Sequence, residues 1–375
     1  MYKMWCPNPI PPDTSSLGTA YFSRLLDATR VRFLMVHISP APARFWHPLD
    51  DGRVQCDLCP RHCRLRPGQH GFCFVRENHE GQLVLTTYGR SSGFAVDPIE
   101  KKPLYHVLPG SAALSFGTAG CNLACRFCQN WEISTARSTD RLQRVATPDQ
   151  IAALAVRNGC SSVAYTYNDP IIFAEYAIDT AEACRQQGLL NLAVTAGYIT
   201  ELARGDFFGA MDAANVDLKS FNPDFYRQVV GGHLEAILET LRFITHETIC
   251  WLEITTLLIP GLNDSDAEVA ALSEWVATEL SPDTPIHFTA FHPDNRLRNI
   301  PRTPLSTLKR ARSIAQSAGL QYVYTGNVVD DKGSTTYCPT CHHPLIVRTG
   351  FTVLRNELTN AGCPTCHTPI PGRWT

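Results

Sequence analysis

Apolar runs and amphipathic segments alternate through the middle of the chain, from residue 112 to residue 326. The short apolar runs predict buried strands at 112–117, 162–167, 190–195, 213–218, 250–258, 285–291 and 321–325. The longer segments predict amphipathic helices at 148–158, 171–187, 200–210, 233–246, 265–279 and 303–318. Thr147 and Pro148 support the start of the first helix, because threonine caps a helix and proline suits its first turn.

This repeated order of strand and helix predicts an α/β fold with a parallel sheet, since parallel neighbours need a crossover connection between them. Six such repeats are too few for a complete eight-stranded barrel, so we expect a partial (β/α)6 barrel over residues 111–330. In such a fold, the functional groups lie on the loops that follow the carboxyl ends of the strands. Those loops are where the sequence should carry its chemistry.

Segments of different composition flank the predicted barrel. Residues 1–50 are rich in proline, which interrupts regular elements, and only 19–38 favours one short helix. Residues 51–110 form a cysteine-rich N-terminal module, and residues 335–375 form a cysteine-rich tail. We expect the first segment to be poorly structured and both cysteine-rich segments to fold around metal.

The chain has 375 residues and a net charge of −2, so no bulk attraction to nucleic acid or to an anionic membrane is expected. No apolar run approaches the roughly 18 residues of a membrane span, and the N-terminus lacks a secretory signal pattern. Fifteen residues are cysteine, and eleven of them fall into three clusters with metal-ligand spacing. This pattern favours metal over disulfides and predicts a reducing, cytoplasmic environment.

The central cysteine cluster directly follows the first predicted barrel strand. Cys121, Cys125 and Cys128 lie in a C-x3-C-x2-C spacing. The informative number is three, because a [4Fe-4S] cluster normally takes four thiolates, one for each iron. Three thiolates leave one iron with open coordination positions, and open positions on a metal favour catalysis. The alternative is a structural zinc knuckle with its fourth ligand elsewhere in the chain.

The N-terminal cluster contains four cysteines in a C-x2-C-x3-C-x9-C spacing: Cys56, Cys59, Cys63 and Cys73. Four thiolates close together complete a tetrahedral zinc site or hold a second, auxiliary iron–sulfur cluster. His62 and His70 are alternative ligands. Zinc is slightly favoured, since four ligands leave no open position, but the spacing leaves both metals open.

The tail contains two near-identical knuckles with a C-x2-C-x21-C-x2-C spacing: Cys338, Cys341, Cys363 and Cys366. This spacing is typical of a zinc ribbon, with short strands predicted at 345–347 and 351–354. Fewer than about 40 residues cannot bury enough core, so the metal would supply the folding energy. The sequence leaves three roles for the ribbon open. It contributes stability alone, it docks a partner or substrate, or it covers the mouth of the barrel.

Polar residues follow several of the other predicted strands. The candidates for cofactor binding are Asn168, Asp169, Asp217, Lys219, Thr256 and His292. Each also has a purely structural interpretation. Asn168 and Asp169 precede a proline in a strong turn sequence, Asp217 and Lys219 are an ion pair at a strand end, and His292 is a capped loop residue. No residue is assigned as catalytic from the sequence.

The cysteine loop at 121–128, with Phe127 as its aromatic residue, resembles the C-x3-C-x-aromatic-C motif of the radical S-adenosylmethionine (SAM) superfamily. The resemblance extends over nearly the whole chain from about residue 45. The cysteines from Cys56, the segments 96–106, 128–134 and 164–168, and the terminal Cys-Pro-Thr-Cys knuckles resemble relatives of pyruvate formate-lyase activating enzyme. Within that group, the chain is most similar to the radical SAM member of the AmmeMemoRadiSam system.

This resemblance implies that a [4Fe-4S] cluster on Cys121, Cys125 and Cys128 binds SAM and, when reduced, cleaves it to methionine and a 5′-deoxyadenosyl radical. In the superfamily a Gly-Gly-Glu-Pro-like motif receives the SAM amino group, and here Asn168-Asp169-Pro170 takes its place. The Asp217-x-Lys219 element resembles one that holds SAM in glycyl-radical-enzyme activases. By the same resemblance, Thr256 and His292 also contact SAM, and the segment of His292 would flank the adenine.

The resulting expectation is a radical SAM enzyme that abstracts hydrogen from an unidentified small-molecule or protein substrate. Its partners would be a low-potential donor such as flavodoxin or ferredoxin and a Memo-like or AMMECR1-like protein. The first alternative is an activase that generates a glycyl radical on a partner enzyme. The second is a non-catalytic iron–sulfur or zinc sensor or binding protein. The absence of a basic, aromatic-laced patch disfavours nucleic acid, and no membrane partner is expected.

Overall fold

Strands and helices alternate through the central part of the chain, as the sequence predicts. The structure, a computed structural model, describes residues 40–137, 142 and 144–375. Its strands are β1 (Ala41–Pro42), β2 (Trp46–Pro48), β3 (Val54–Cys56), β4 (Arg64–Leu65), β5 (Arg76–His79), β6 (Gln82–Leu85), β7 (Arg90–Ser91), β8 (Gly93–Pro98), β9 (Ala112–Gly117), β10 (Arg144–Val145), β11 (Ser162–Tyr165), β12 (Leu190–Thr195), β13 (Ala213–Asp217), β14 (Trp251–Leu258), β15 (Ile286–Ala290), β16 (Val323–Gly326), β17 (Thr336–Tyr337), β18 (Pro344–Thr349) and β19 (Thr352–Asn356).

The α-helices are α1 (Trp131–Ser134), α2 (Pro148–Arg157), α3 (Ala174–Arg185), α4 (Glu201–Gly209), α5 (Pro223–Phe225), α6 (Leu234–Glu247), α7 (Asp266–Trp275), α8 (Leu305–Ser317) and α9 (Asp331–Ser334). Short 3-10 segments lie at Ile99–Lys101 and Pro170–Phe173, and π-helical turns at Tyr226–Val230 and Val276–Leu280. Among the described residues, no helix has the length and apolar character needed to cross a membrane. The helix predicted at 19–38 lies outside the described residues.

An eight-stranded sheet organises the fold, in the order β8-β9-β11-β12-β13-β14-β15-β16. From β9 to β16 all neighbours are parallel, and they follow one another along the chain. β8 pairs antiparallel with β9 and was not predicted, because its apolar content is confined to a few positions before Pro98. The predicted α/β partial barrel is confirmed, with β8 and β16 at its two edges.

The helices follow from local capping and from apolar stripes. In α2, Thr147 Oγ1 accepts from Gln150 N at 3.3 Å, and Gln150 Oε1 accepts from Thr147 N at 2.9 Å. This reciprocal capping box satisfies two backbone donors that would otherwise lack partners at the helix start. In α6, Ile237, Leu241 and Ile244 recur on one face and are fully buried. Each such side chain contributes about 1.5–3 kcal/mol of burial, which holds the helix on the sheet.

The N-terminal module consists of two small antiparallel sheets, β1-β6-β5 and β2-β3-β4, beside the barrel. β1 and β2 lie in the last part of the segment predicted as poorly structured. A buried ion pair between Arg76 and Glu175 joins the module to α3, and Glu175 Oε1 also accepts from Arg44 N at 2.6 Å. Because both charges are nearly inaccessible, removing one would leave the other buried and uncompensated. This joint fixes the module against the barrel.

The C-terminal ribbon consists of the sheet β17-β18-β19 and packs at the amino-terminal edge of the parallel strands. Its anchor is Arg348, which is fully buried. The guanidinium donates to Tyr105 O at 2.6 Å and to Thr336 Oγ1 at 2.9 Å, and it lies 3.5 Å from Glu100. Functional loops lie at the opposite, carboxyl-terminal edge. The suggestion that the ribbon covers the barrel mouth is therefore wrong.

Candidate active site

The cysteine loop lies between β9 and α1, at the carboxyl-terminal edge of the parallel sheet. Its backbone is held from both sides. Gly120 N donates to Ile133 O at 2.9 Å, and Ala124 N donates to Val230 O at 2.9 Å. Arg126 N likewise donates to Val229 O at 2.9 Å. These bonds fix the loop to α1 on one side and to the π-helical turn after α5 on the other.

Asn168 fixes the start of the same loop. Its Oδ1 accepts from Thr118 N at 3.1 Å, and its Nδ2 donates to Gly120 O at 2.9 Å and to Thr118 Oγ1 at 3.3 Å. Gly117 makes this approach possible, because a Cβ at that position would lie 2.3 Å from Thr166 O and 2.6 Å from Asn168 Oδ1. In the structure, the Asn168 carboxamide therefore serves the geometry of the cysteine loop.

The three thiols are partly or largely buried beneath this loop. Burial raises the pKa of Cys125 to about 12, although the nearby Lys219 ammonium acts in the opposite direction. Burial also raises the pKa of Cys128, although the Ser134 hydroxyl beside its sulfur lowers it. Cysteine sulfur is a ligand both for zinc and for iron–sulfur clusters. The donor set therefore fits a metal centre.

The spacing of these sulfurs distinguishes between the two kinds of centre that the sequence left open. Thiolates on one tetrahedral zinc ion lie roughly 3.8 Å apart, because each Zn–S bond is about 2.3 Å. Within the described part of the chain, Cys121, Cys125 and Cys128 do not form a group whose sulfurs all lie within 4.8 Å of one another. Thiolates that bind different irons of a [4Fe-4S] cube are more widely spaced. The loop therefore fits a cluster better than a zinc knuckle.

An ion pair at the end of β13 lies beside the cysteine loop. Lys219 Nζ is 2.8 Å from Asp217 Oδ2 and 5.8 Å from the centre of the Phe127 ring. Burial lowers the pKa of Lys219, but the Asp217 carboxylate and Cys125 outweigh burial and raise it overall. The Asp217 side chain is 35% exposed and that of Lys219 is 14% exposed. The pair therefore presents a carboxylate at the surface of the site and an ammonium beneath it.

Asp169 lies at the end of β11 and is buried. Its Oδ1 accepts from Thr195 Oγ1 at 2.8 Å and from Ile171 N at 3.1 Å, and its Oδ2 accepts from Ala196 N at 3.0 Å. Burial raises its pKa despite these donors. The carboxylate also raises the pKa of Cys121, second to the effect of burial there. Asp169 therefore fixes the end of β12 through hydrogen bonds and places negative charge beside Cys121.

The last two predicted residues, Thr256 and His292, lie in different surroundings from each other. Thr256 is buried in β14, where its Oγ1 donates to Leu218 O at 2.8 Å, between Asp217 and Lys219 in the chain. His292 is exposed on the loop after β15, and its Nδ1 lies 3.1 Å from Pro293 O. The structure therefore brings Asp169, Asp217 and Lys219 beside the cysteines, with Thr256 supporting the backbone of the ion pair.

Residues that were not among the individually predicted site residues also shape the site. Asn295 Nδ2 donates to Cys125 O at 3.3 Å, and Trp131 Nε1 donates to Asp294 Oδ1 at 3.3 Å. Arg296 N donates to Arg126 O at 3.0 Å. These bonds tie the loop after β15 to the cysteine loop from more than 160 positions away. No local pattern in the sequence indicated these contacts.

The cysteines of the ribbon have a different geometry. The sulfurs of Cys338, Cys341, Cys363 and Cys366 all lie within 4.8 Å of one another. The Cys338–Cys366 and Cys341–Cys363 sulfur separations are 3.5 Å and 3.6 Å. Hydrogen bonds from Thr368 lower the pKa of Cys366 to about 6. These separations match four thiolates around one tetrahedral ion.

Comparison with known proteins finds similarity to the radical SAM superfamily and to several individual proteins. Residues 116–272 match the model of the Radical SAM superfamily. An uncharacterized protein of Methanocaldococcus jannaschii is 41% identical over 306 residues, which cover 82% of this chain and 91% of that protein. Pyruvate formate-lyase 1-activating enzyme of Escherichia coli is 22% identical over 44% of this chain and 69% of its own length. A radical SAM methyltransferase from Sphaerobacter thermophilus covers 80% of each chain with 17% identity and a TM-score of 0.49.

The superfamily match begins in β9 and contains the whole cysteine loop and the Asp217–Lys219 pair. The extensive match to the archaeal protein continues well beyond it. Together with a three-thiol loop at the carboxyl-terminal edge of a parallel sheet, these findings mean that the chain belongs to the radical SAM superfamily and is a radical SAM enzyme.

Proposed function

We propose that this enzyme reductively cleaves SAM and uses the resulting 5′-deoxyadenosyl radical to abstract hydrogen from a substrate that is still to be identified. The observation that carries the proposal is the set of three thiols on one fixed loop at the functional edge of the sheet. A [4Fe-4S] cluster held by three thiolates leaves one iron to bind SAM and, when reduced, supplies the electron for the cleavage.

The chain's own residues have distinct roles in this proposal. Cys121, Cys125 and Cys128 hold the cluster. Asp217 accepts hydrogen bonds from cationic or hydroxyl groups of SAM, since its carboxylate is the more exposed partner of the ion pair. Lys219 fixes that carboxylate from below through its 2.8 Å contact.

The remaining candidates support these groups. Asn168 sets the conformation of the cysteine loop, and Thr256 holds the backbone beneath the ion pair. Asp169 fixes the end of β12 and contributes negative charge beside Cys121. His292, on the exposed loop after β15, is the candidate for contact with the adenine.

The direct test is anaerobic reconstitution with iron and sulfide, reduction with dithionite, and measurement of 5′-deoxyadenosine formed from SAM. We expect product from the wild type and from Cys160→Ala, a buried cysteine outside the three clusters, but not from Cys125→Ala. Equal product from Cys125→Ala would refute the assignment of the loop. Absence of product from a wild type with a reducible cluster would favour a sensing or binding role.

The ribbon has a separate function in this proposal. Sulfur separations of 3.5 Å and 3.6 Å support zinc as its ion, which would stabilise the tail against the amino-terminal edge of the barrel. Cys363→Ser should lower the zinc content by about one ion per chain. It should leave formation of 5′-deoxyadenosine intact, because the ribbon packs at the edge opposite the cysteine loop. Loss of activity in proportion to zinc would contradict this separation.

An activase is the second candidate, and similarity to pyruvate formate-lyase 1-activating enzyme favours it. Incubation of the reduced enzyme with SAM and pyruvate formate-lyase would produce a glycyl-radical EPR signal if the two share a reaction. The low-potential donor would be of the flavodoxin or ferredoxin kind. A Memo-like or AMMECR1-like partner remains a prediction that co-purification from the native host would test.

A further inference from the structure

The four N-terminal cysteines line one small pocket. Cys56 lies at the end of β3, and Cys63 directly precedes β4, joined to it by a 2.9 Å hydrogen bond from Cys56 N to Cys63 O. Cys59 and Cys73 complete the ring from the loops on either side. Leu58 and Ile172, both almost fully buried, supply apolar walls. The sequence brings four thiols together here but leaves the metal open.

The ribbon in the same molecule provides a reference for zinc spacing. Its four sulfurs lie within 4.8 Å of one another, close to the roughly 3.8 Å expected around one tetrahedral ion. Among the residues placed by the structure, no three of Cys56, Cys59, Cys63 and Cys73 meet this condition. The wider arrangement suits thiolates that each bind a different iron of a cubane.

Groups around the cavity favour an anionic centre. Phe72 N donates to Cys63 Sγ at 3.5 Å, and N–H donors stabilise negative charge on sulfur. The guanidinium of Arg61 lies 3.6 Å from the centre of the Phe72 ring, and Arg76 lines the wall as part of its buried pair with Glu175. Because Glu175 balances the charge of Arg76, Arg61 is the cation that favours excess negative charge on the four thiolates.

This cavity is in direct contact with the loop of the first cluster. A Cβ on Gly120, next to Cys121, would lie 1.9 Å from Cys73 O. Arg61 Nε donates to Asn122 O at 2.8 Å, and its Nη2 donates to Gly231 O. Asn122, between Cys121 and Cys125, also lines the cavity. The backbone at Gly120, next to Cys121, therefore packs against the backbone at Cys73.

We propose that Cys56, Cys59, Cys63 and Cys73 hold a second [4Fe-4S] cluster, which passes electrons to the cluster on Cys121, Cys125 and Cys128. With a thiolate on each iron, the second cluster has no open position for substrate, so it acts by outer-sphere electron transfer. It takes one electron from a low-potential flavin or iron–sulfur donor and gives one electron to the first cluster, with no bond or proton exchanged. The relay rests on the proposed SAM cleavage, whereas the presence of the cluster does not.

Metal content tests the cluster without disturbing its ligands. After anaerobic reconstitution we expect about eight irons and one zinc per chain, and about four irons in the triple variant Cys121→Ala, Cys125→Ala, Cys128→Ala. The triple variant should retain a reducible [4Fe-4S] EPR signal that SAM does not alter. About four irons and two zincs in the wild type, with no iron in the triple variant, would overturn the assignment.

The choice of reductant tests the relay. Cys59→Ser should slow 5′-deoxyadenosine formation at least about tenfold with reduced flavodoxin, but less than about threefold with dithionite, compared with Cys160→Ser. An equal loss with both reductants, or no loss with flavodoxin, would overturn the relay. If the wild type forms no 5′-deoxyadenosine with dithionite, the proposed function fails, while the iron count still decides the second cluster. If Cys59→Ser does not fold, the metal content of the triple variant remains decisive for the cluster.

Discussion

Gly120 allows the sharpest test of how the two cysteine groups are packed together. It has a φ of +82°, in the left-handed region, and a Cβ there would lie 1.9 Å from Cys73 O and 3.1 Å from Cys73 C. Gly120→Ala therefore combines backbone strain with a steric clash against main chain. The strain costs about 1–2 kcal/mol, and overpacking of this kind costs about 1–3 kcal/mol. We expect a total destabilisation of about 2–5 kcal/mol.

Gly188 provides a matched control, because its φ is +71° and no atom would lie within 4 Å of an added Cβ. Gly188→Ala should show the strain alone, partly offset by the lower entropy of its unfolded chain. The difference between the two variants, about 1–3 kcal/mol, then measures the clash with Cys73.

The assay is anaerobic urea unfolding followed by circular dichroism, with the requirement that the m value stays constant. Because the clash would also separate the two cysteine groups, Gly120→Ala should lose iron during reconstitution more readily than Gly188→Ala. Equal free energies of unfolding and equal iron contents for the two variants would refute the close packing of Cys73 on the cysteine loop.

Three further predictions concern buried or paired charges. Asp217→Asn should slow SAM cleavage about tenfold to hundredfold, since hydrogen bonds to charged groups contribute about 1.5–3 kcal/mol, and a rate like that of Asp224→Asn, an exposed aspartate, would contradict its role. Arg348→Met should lower the free energy of unfolding by about 3–5 kcal/mol by leaving Glu100 unpaired, and adding Glu100→Gln should recover part of the loss in urea titrations. His106 has its pKa lowered to about 4 by burial, so the unfolded chain binds the proton first and stability should fall by about 3 kcal/mol as the pH drops from about 6.5 to about 4. His106→Phe should remove this component of the pH dependence, and an unchanged profile would contradict it.

The neutral form of His106 has a structural reason. Its Nδ1 lies 2.7 Å from Pro371 O, so this nitrogen must donate, and its Nε2 lies 2.6 Å from the Tyr324 hydroxyl, which then donates to it. A protonated ring would have two donors, so the Tyr324 hydroxyl would have to turn and accept from Nε2.

Local sequence determined the regular elements and the grouping of the cysteines. The period of apolar positions predicts the parallel strands within a few residues, because a buried strand and an amphipathic helix need different spacings regardless of their neighbours. The spacings within 121–128 and 56–73, and within each knuckle of the ribbon, likewise bring thiols near one another along the chain. Chemistry that depends on near neighbours could therefore be predicted from sequence.

Only the tertiary structure decided how these elements and the cysteine groups pack against one another. Asn168 holds Gly120 O from 48 positions away, and Arg61 reaches Gly231 over 170 positions. Arg348 places the ribbon at the amino-terminal edge through a bond to Tyr105 that spans 243 positions. Such contacts depend on the curvature of the sheet and on which faces pack together, and neither is encoded in a local pattern. Sequence therefore predicted which cysteines group together, whereas packing set the spacing of their sulfurs and the contact between the two N-terminal groups.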